Sequence, residues 1–159
     1  MLITIKPIRR PGKRTVDPAR FEAELQKAQR KVIGLTKRDF NATVRTWKRK
    51  PTFTITTDSK GVISVSTDNP IYGYVNYGTK PHIIRPKRGK YLWFQTGYKA
   101  KTRPRVISSS NGGASGKLAR AKQVRHPGTA ARQFDKIIAE RRRKTYVEEM
   151  RKAVQRSLK

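Results

Sequence analysis

The chain has 159 residues, of which 39 are Lys or Arg and 10 are Asp or Glu, and its formal net charge is +29 at pH 7. The length suits one domain, and a hydrophobic content of 35% is low for a globular protein but sufficient for a modest core. The absence of cysteine excludes disulfide scaffolds, cysteine-ligated zinc sites and thiol catalysis, while the large positive charge disfavours a free-standing monomeric enzyme.

The first 16 residues predict a basic N-terminal arm. Leu2, Ile3 and Ile5 could add a short strand to a neighbour, and a frayed basic terminus is the alternative. This segment is too short and too interrupted for a signal peptide, and no apolar run approaches the roughly 20 residues needed to span a bilayer. We therefore expect the protein to stay in the cytosol or in a particle assembled there.

Two long helices are predicted, one at each end of the domain. The first begins at Asp17, a good N-cap, with Pro18 at the first helical position, and runs for about 30 residues to Pro51. The second runs from Thr129 or Ala130 to near the end of the chain. Their apolar faces are formed by Phe21, Leu25, Ala28, Val32, Leu35, Phe40, Val44 and Trp47 in the first helix and by Phe134, Ile137, Ile138, Val147, Met150, Val154 and Leu158 in the second.

The residues between these helices predict strands. Residues 52–57 and 62–67 alternate apolar and hydroxyl side chains around turn residues 58–61, a pattern typical of a hairpin with one face buried by the first helix. Residues 91–94 predict another strand and 105–108 a weaker one. The Gly- and Ser-rich residues 108–116 predict a flexible loop.

This order predicts an α+β fold, in which a small antiparallel sheet packs against a long N-terminal helix and a C-terminal helix. The predicted organisation is an arm at 1–16 and a single domain at 17–159, with a flexible basic loop at about 99–125.

Positive charge is concentrated in the middle of the chain, because no Asp or Glu occurs from residue 69 to residue 134. We favour contact of this stretch with a polyanion, most simply a nucleic-acid backbone, over solvated loops or an acidic protein neighbour. The candidate DNA- or neighbour-contacting residues are Lys99, Lys101, Arg103, Arg105, Lys117, Arg120, Lys122 and Arg125.

Aromatic side chains interleave with these positive charges. Base stacking on the rings is one interpretation, but the favoured one is that alternate aromatic residues fill the core of a small sheet. The residues concerned are Tyr72, Tyr74, Tyr77, Tyr91, Trp93 and Tyr98.

The sequence contains no convincing catalytic or metal site. His82 and His126 lie in turn-like contexts without nearby carboxylates, and we expect His126 to make a structural hydrogen bond rather than act as a base. Residues 112–117 suggest a phosphate loop only superficially, because Leu118 stands where that motif requires Ser or Thr. We expect no enzymatic activity, no metal and no cofactor.

Two short motifs resemble a family of tailed-bacteriophage proteins, the minor tail or tail-completion proteins of the head–tail neck. The first motif lies in residues 74–79, ahead of the strand predicted at 91–94, and the second lies in residues 124–134, ahead of the last helix. This sequence departs from the family at Asn76, where an acid is common, and at Gln133, where Pro is frequent. The motif residues are Tyr77, Gly78 and Thr79 in the first and His126, Pro127, Gly128 and Thr129 in the second.

The resemblance implies a non-enzymatic virion component that acts in tail completion or head–tail joining at the neck and is assembled in the cytoplasm of the bacterial host. It implies a homo-oligomeric ring around the DNA channel, with six copies as the family-like number and twelve left open. The expected partners are neighbouring neck and tail proteins and, non-specifically, genomic DNA. A stand-alone, sequence-nonspecific nucleic-acid-binding protein is the alternative.

Overall fold

The computed structural model describes residues 17–59 and 61–158, and it confirms the α+β class. Within these residues, the strands form three separate two-stranded antiparallel ribbons rather than one sheet. The predicted arm at 1–16 lies outside the described residues. The elements in chain order are α1 (Pro18–Thr43), β1 (Thr54–Thr57), β2 (Ile63–Ser66), α2 (Pro70–Tyr77), β3 (His82–Ile84), β4 (Leu92–Gln95), β5 (Leu118–Ala121), β6 (Val124–His126) and α3 (Phe134–Ser157).

Helix α1 begins as predicted. The Asp17 carboxylate accepts hydrogen bonds from the backbone N–H groups of Ala19 and Arg20 at 3.0 and 3.3 Å, and Pro18 is the first helical residue. The helix ends at Thr43, earlier than the predicted end at Pro51. Its apolar spacing continues beyond this point because successive turns follow, with the Trp47 N–H donating to the Val44 carbonyl at 3.0 Å. The stripe of apolar residues therefore extends beyond the C-terminal end of the helix.

The predicted hairpin is present as β1 and β2, which pair from Thr54 opposite Ser66 to Thr57 opposite Ile63. Asp58 closes its turn, since its carboxylate accepts from the Val62 N–H at 2.9 Å. The hairpin packs against α1 mainly through β2. The expected buried face is therefore only partly formed, and Ile55 keeps 39% of its surface exposed.

The tyrosine-rich segment after the hairpin is helical. Asn69 caps α2 by accepting from the Tyr72 N–H at 3.1 Å, and Pro70 occupies the first turn. Residues 68–70 are typical of a break between elements, but an Asn followed by Pro is also typical of a helix start. Tyr72 therefore points to a different side of a helix from Tyr74 and Tyr77, and these residues do not line the two faces of a sheet.

The predicted strand at 105–108 is wrong, and three strands, β3, β5 and β6, were missed. Pro104 and Arg105 form a turn in which Arg105 has a φ of +62°, and an isolated bridge joins Thr102 to Ser109. The predicted basic loop contains β5 and β6, which pair antiparallel with β4 and β3. These short strands carry little local signal because their partners lie far away along the chain.

Helix α3 begins at Phe134, later than predicted, because residues 129–133 pair with residues 75–79 instead. It packs along α1 in the opposite direction, as the order of the ion pairs between the two helices shows. The predicted apolar face is wrong in its C-terminal half, where Val147 and Val154 are exposed while Ala153 and Ser157 are buried. Within the described residues no helix is long and apolar enough to cross a membrane.

An aromatic core joins α1, α2 and α3 with the chain leading into β1. The Phe53 and Tyr72 rings meet edge to face at 5.0 Å between centroids, and the Tyr72 and Phe134 rings stack at 6.0 Å. Burial raises the pKa of the Tyr72 hydroxyl, although contact with the Thr43 hydroxyl at 3.4 Å opposes this. Tyr72 is therefore neutral throughout the physiological pH range.

Candidate nucleic-acid interface

The two motifs that carry the family resemblance meet at one place. The Thr79 N–H donates to the Thr129 carbonyl at 2.9 Å, and the Thr129 N–H donates to the Thr79 carbonyl at 3.1 Å. The same Thr129 N–H also lies 3.0 Å from the Thr79 hydroxyl oxygen. We call this antiparallel contact between residues 77–79 and 126–129 the motif junction.

Both motif glycines are required by the motif junction. Gly78 has a φ of +79°, and a Cβ there would lie 2.6 Å from the Thr129 carbonyl oxygen. Gly128 has a φ of +90°, and a Cβ there would overlap the Thr79 carbonyl oxygen. Only glycine provides both the left-handed backbone and the close approach.

Asn76 connects the motif junction to α3. It is 3% exposed, and its backbone carbonyl accepts from the N–H groups of Arg132 and Gln133 at 3.1 and 2.9 Å. Its side-chain oxygen accepts from the Asp135 N–H at 3.3 Å, in the first turn of α3. The amide oxygen provides the hydrogen-bond acceptor that a carboxylate would provide at this position.

Gln133, the second departure from the family pattern, has a φ of +52°. Proline cannot adopt this angle, because its ring holds φ near −65°. The two departures are therefore in direct contact, since Gln133, just before α3, donates its N–H to the Asn76 carbonyl.

The two histidines are neighbours in the β3–β6 ribbon. His82 and His126 are directly paired, and their rings stack with centroids 5.0 Å apart. The predicted hydrogen bond of His126 is present, since its Nδ1 accepts from the Gly128 N–H at 3.0 Å. His82 donates through Nδ1 to the Lys80 carbonyl at 2.9 Å. Among the residues that the structure describes, no three His, Asp or Glu side chains are grouped closely enough to hold a metal.

Seven of the eight candidate basic residues are exposed. The exception is Lys101, whose ammonium donates to the Thr46 carbonyl at 3.1 Å and so belongs to the packing around the end of α1. The exposed seven lie in the β4–β5 and β3–β6 ribbons and the segments that connect them. They are Lys99, Arg103, Arg105, Lys117, Arg120, Lys122 and Arg125.

The Gly- and Ser-rich segment is attached to the body of the protein. The Ser109 hydroxyl oxygen accepts from the Thr46 N–H at 3.1 Å, and the Thr46 hydroxyl donates to the Ser110 carbonyl at 2.6 Å. Lys99 and Gly113 exchange two backbone hydrogen bonds of 2.9 and 2.7 Å. These contacts hold residues 108–116 against the chain that follows α1 and against Lys99.

The favoured interpretation of the aromatic residues is wrong for five of the six. Only Tyr72 is buried in the core. Large parts of the other rings are exposed. Tyr91 and Trp93 belong to the β4–β5 ribbon, which the long helices do not cover, and Tyr74 and Tyr77 lie on α2 outside the aromatic core. The exposed aromatic residues are Tyr74, Tyr77, Tyr91, Trp93 and Tyr98.

One face of the β4–β5 ribbon joins an exposed aromatic pair to a cation. Trp93 on β4 is directly opposite Arg120 on β5. The Arg120 guanidinium carbon lies 5.1 Å from the Tyr91 ring centroid and 5.9 Å from that of Trp93, which is cation–π geometry. We call these three residues the Trp93–Arg120 face. The sequence indicated both residue types but not their contact, because β5 was not predicted.

No family model, curated protein or solved structure matches this chain. The resemblance to phage tail-completion proteins therefore stays a prediction carried by the two motifs.

Proposed function

We propose that this protein is a non-enzymatic structural component of a tailed-phage virion at the head–tail neck, where it forms a ring around the DNA channel. The observation that supports this most is the motif junction. Thr79 and Thr129 of the two motifs lie 50 residues apart in sequence, yet the motifs share reciprocal hydrogen bonds and two sterically required glycines. The two motifs therefore form one structural unit, as expected if they belong to one family pattern.

The charge distribution supports contact of the ring with DNA. The stretch from residue 69 to residue 134 has no carboxylate, and seven of its candidate cations are exposed. Such a surface neutralises phosphates and releases their counterions without reading bases. It suits a component that must hold or guide DNA of any sequence.

A second candidate is a stand-alone, sequence-nonspecific nucleic-acid-binding protein. The observation that favours it is the Trp93–Arg120 face, which combines exposed rings with a cation in the manner of a base-stacking surface. This function requires no ring and no neck partner.

The native mass of nuclease-treated protein at moderate salt, with imaging of any large species, separates the two functions. A closed ring supports the neck component. A monomer that binds DNA with a steep salt dependence contradicts ring formation by the free subunit and favours the second candidate.

Charge reversal tests the basic surface itself. Lys117→Glu combined with Lys122→Glu should weaken DNA binding and lower the salt slope by about 1 for each phosphate that is no longer neutralised. The matched control is Arg141→Glu with Arg151→Glu, which changes net charge equally at exposed positions of α3. Equal reductions in affinity in both variants would contradict a DNA surface on the ribbons.

A further inference from the structure

We propose that the Trp93–Arg120 face binds single-stranded nucleic acid by stacking unpaired bases. This inference rests on the nucleic-acid contact of the proposed function and names the site and the form of the ligand. It concerns an exposed face of one ribbon and not the basic surface as a whole.

The geometry of the ribbon places the relevant side chains together. Successive side chains of a strand alternate between its faces, so Trp93 and Gln95 lie on one side with their partners Arg120 and Leu118. Trp93 is 62% exposed and Leu118 is 66% exposed. Tyr91 lies on the same side, as its distance to Arg120 shows. The result is an open surface on which the Arg120 guanidinium lies against two rings.

The chemistry of this surface suits a base. Aromatic rings and guanidinium planes are the groups on which unpaired bases stack, and every base has a π-face, so the contact needs no particular sequence. Arg120 is oriented by the Tyr91 and Trp93 rings, and no carboxylate among the described residues pairs with it. The exposed Lys117 and Lys122 flank it and can neutralise the phosphates of a strand lying across the ribbon.

The size of the face favours a nucleic-acid strand over a protein. Four residue pairs at about 3.4 Å per residue give a ribbon of roughly 10 Å, the length of two or three stacked bases. A stable protein interface needs about 800 Å² from each partner, which exceeds such a face. A duplex is a poorer ligand, because its base faces are covered by their neighbours.

The test compares polyanions that differ in whether they carry exposed bases. A short labelled oligothymidylate, a duplex of the same length and polyphosphate are titrated at low salt while tryptophan fluorescence is followed. We expect oligothymidylate to bind and quench fluorescence, and polyphosphate to bind without quenching. Trp47, the other tryptophan, has its indole N–H buried and should not respond.

Substitutions assign the effect to the face. Trp93→Ala should lower oligothymidylate affinity about tenfold or more and leave polyphosphate affinity unchanged, and a thermal unfolding transition like that of the parent shows that the variant is folded. Arg120→Lys keeps the positive charge but removes the planar guanidinium. It should lower oligothymidylate affinity severalfold and leave polyphosphate affinity unchanged. Tyr146→Ala, at an exposed tyrosine of α3, is the matched control and should change neither.

The results that would overturn base stacking differ from those that would overturn the DNA contact itself. Unchanged oligothymidylate affinity in Trp93→Ala, or equal quenching by the duplex or by polyphosphate, would overturn base stacking, while the basic surface would remain supported by polyphosphate binding. If oligothymidylate, duplex and polyphosphate all fail to bind at low salt, both this inference and the DNA contact of the proposed function are contradicted.

Discussion

The motif junction depends on two glycines that have no side chain. Gly78 and Gly128 have no Cβ, and this allows the backbones of two distant segments to approach and exchange hydrogen bonds. The segment after Thr129 then leads directly into α3. A side chain at either glycine would separate the segments and move the start of that helix.

Gly128→Ala is expected to lower the free energy of unfolding by more than about 2 kcal/mol, because the left-handed backbone and the contact with the Thr79 carbonyl both become unfavourable. Gly61→Ala is the matched control, since Gly61 has a φ of +78° but nothing lies near its missing Cβ. It should lower the free energy of unfolding by only about 1 kcal/mol. Urea unfolding measures both, and equal reductions would contradict a steric role for Gly128.

Helices α1 and α3 form the most extensive contact between the secondary-structure elements. Three ion pairs join the two helices in antiparallel order, Glu24 with Arg156, Lys31 with Glu149 and Asp39 with Arg142. The last is bidentate, with the Asp39 oxygens 2.7 and 2.8 Å from the Arg142 nitrogens. These pairs set the register of a helix interface that contains several small side chains.

Asp39→Asn is expected to lower the free energy of unfolding by about 3 kcal/mol, because it leaves the Arg142 guanidinium without its countercharge. The side chains of Asp39 and Arg142 are only 11% and 19% exposed. Glu24→Gln is the comparison, and it should have a smaller effect, because Arg156 in that pair is much more exposed. Thermal unfolding measures both, and the reverse order would contradict this ranking.

The pH dependence of stability should be sensitive to Glu149. Its hydrogen bond to Lys31 lowers the pKa of this carboxyl below its usual value of 4.5, and desolvation opposes the shift only in part. The unfolded chain therefore binds the proton more readily, so the stabilisation is present above about pH 4.5 and is lost as pH falls through the folded pKa.

Glu149→Gln should therefore be less stable than the parent protein at neutral pH, and the difference should shrink as the solution is acidified. Melting temperatures measured at a series of pH values test this expectation. Glu148→Gln, at an exposed neighbouring position, should follow the parent at every pH. A constant difference between Glu149→Gln and the parent would contradict the role of the Lys31 contact.

The whole molecule carries a net charge of +29 on 159 residues, and its few acids lie outside residues 69–134. Glu24, Asp39 and Glu149 of the long helices pair with cations, whereas the β3–β6 and β4–β5 ribbons contain no acid. The isolated subunit therefore repels itself most strongly on the surface that we propose contacts DNA.

The melting temperature of the isolated protein is expected to rise with added sodium chloride, because screening weakens this repulsion more than it weakens the few ion pairs. Polyphosphate at equal ionic strength should raise it further, since it binds the folded surface. Differential scanning calorimetry measures both effects. A fall in melting temperature with salt would show instead that the ion pairs outweigh the repulsion.

Local signals predicted the elements that local interactions form. The Asp17 cap and the β1–β2 hairpin depend on residues a few positions apart, so both were predicted. Helix α2 was missed because its capping Asn69 and Pro70 are equally typical of a break. The start of α3 was placed too early because the chain before Phe134 is held by Asn76, which is distant in sequence.

The sequence by itself determined the charge, the acid-free stretch, the absence of cysteine and the local helix and hairpin starts, because these depend on composition or on near neighbours. Only the tertiary structure decided that the two motifs meet, that Trp93 lies against Arg120, and that Lys101 is engaged while the other candidate cations are exposed. Each of these depends on pairing between segments far apart in the chain. Such pairing is decided by backbone hydrogen bonds and packing between distant segments, which the local spacing of residue types does not reveal.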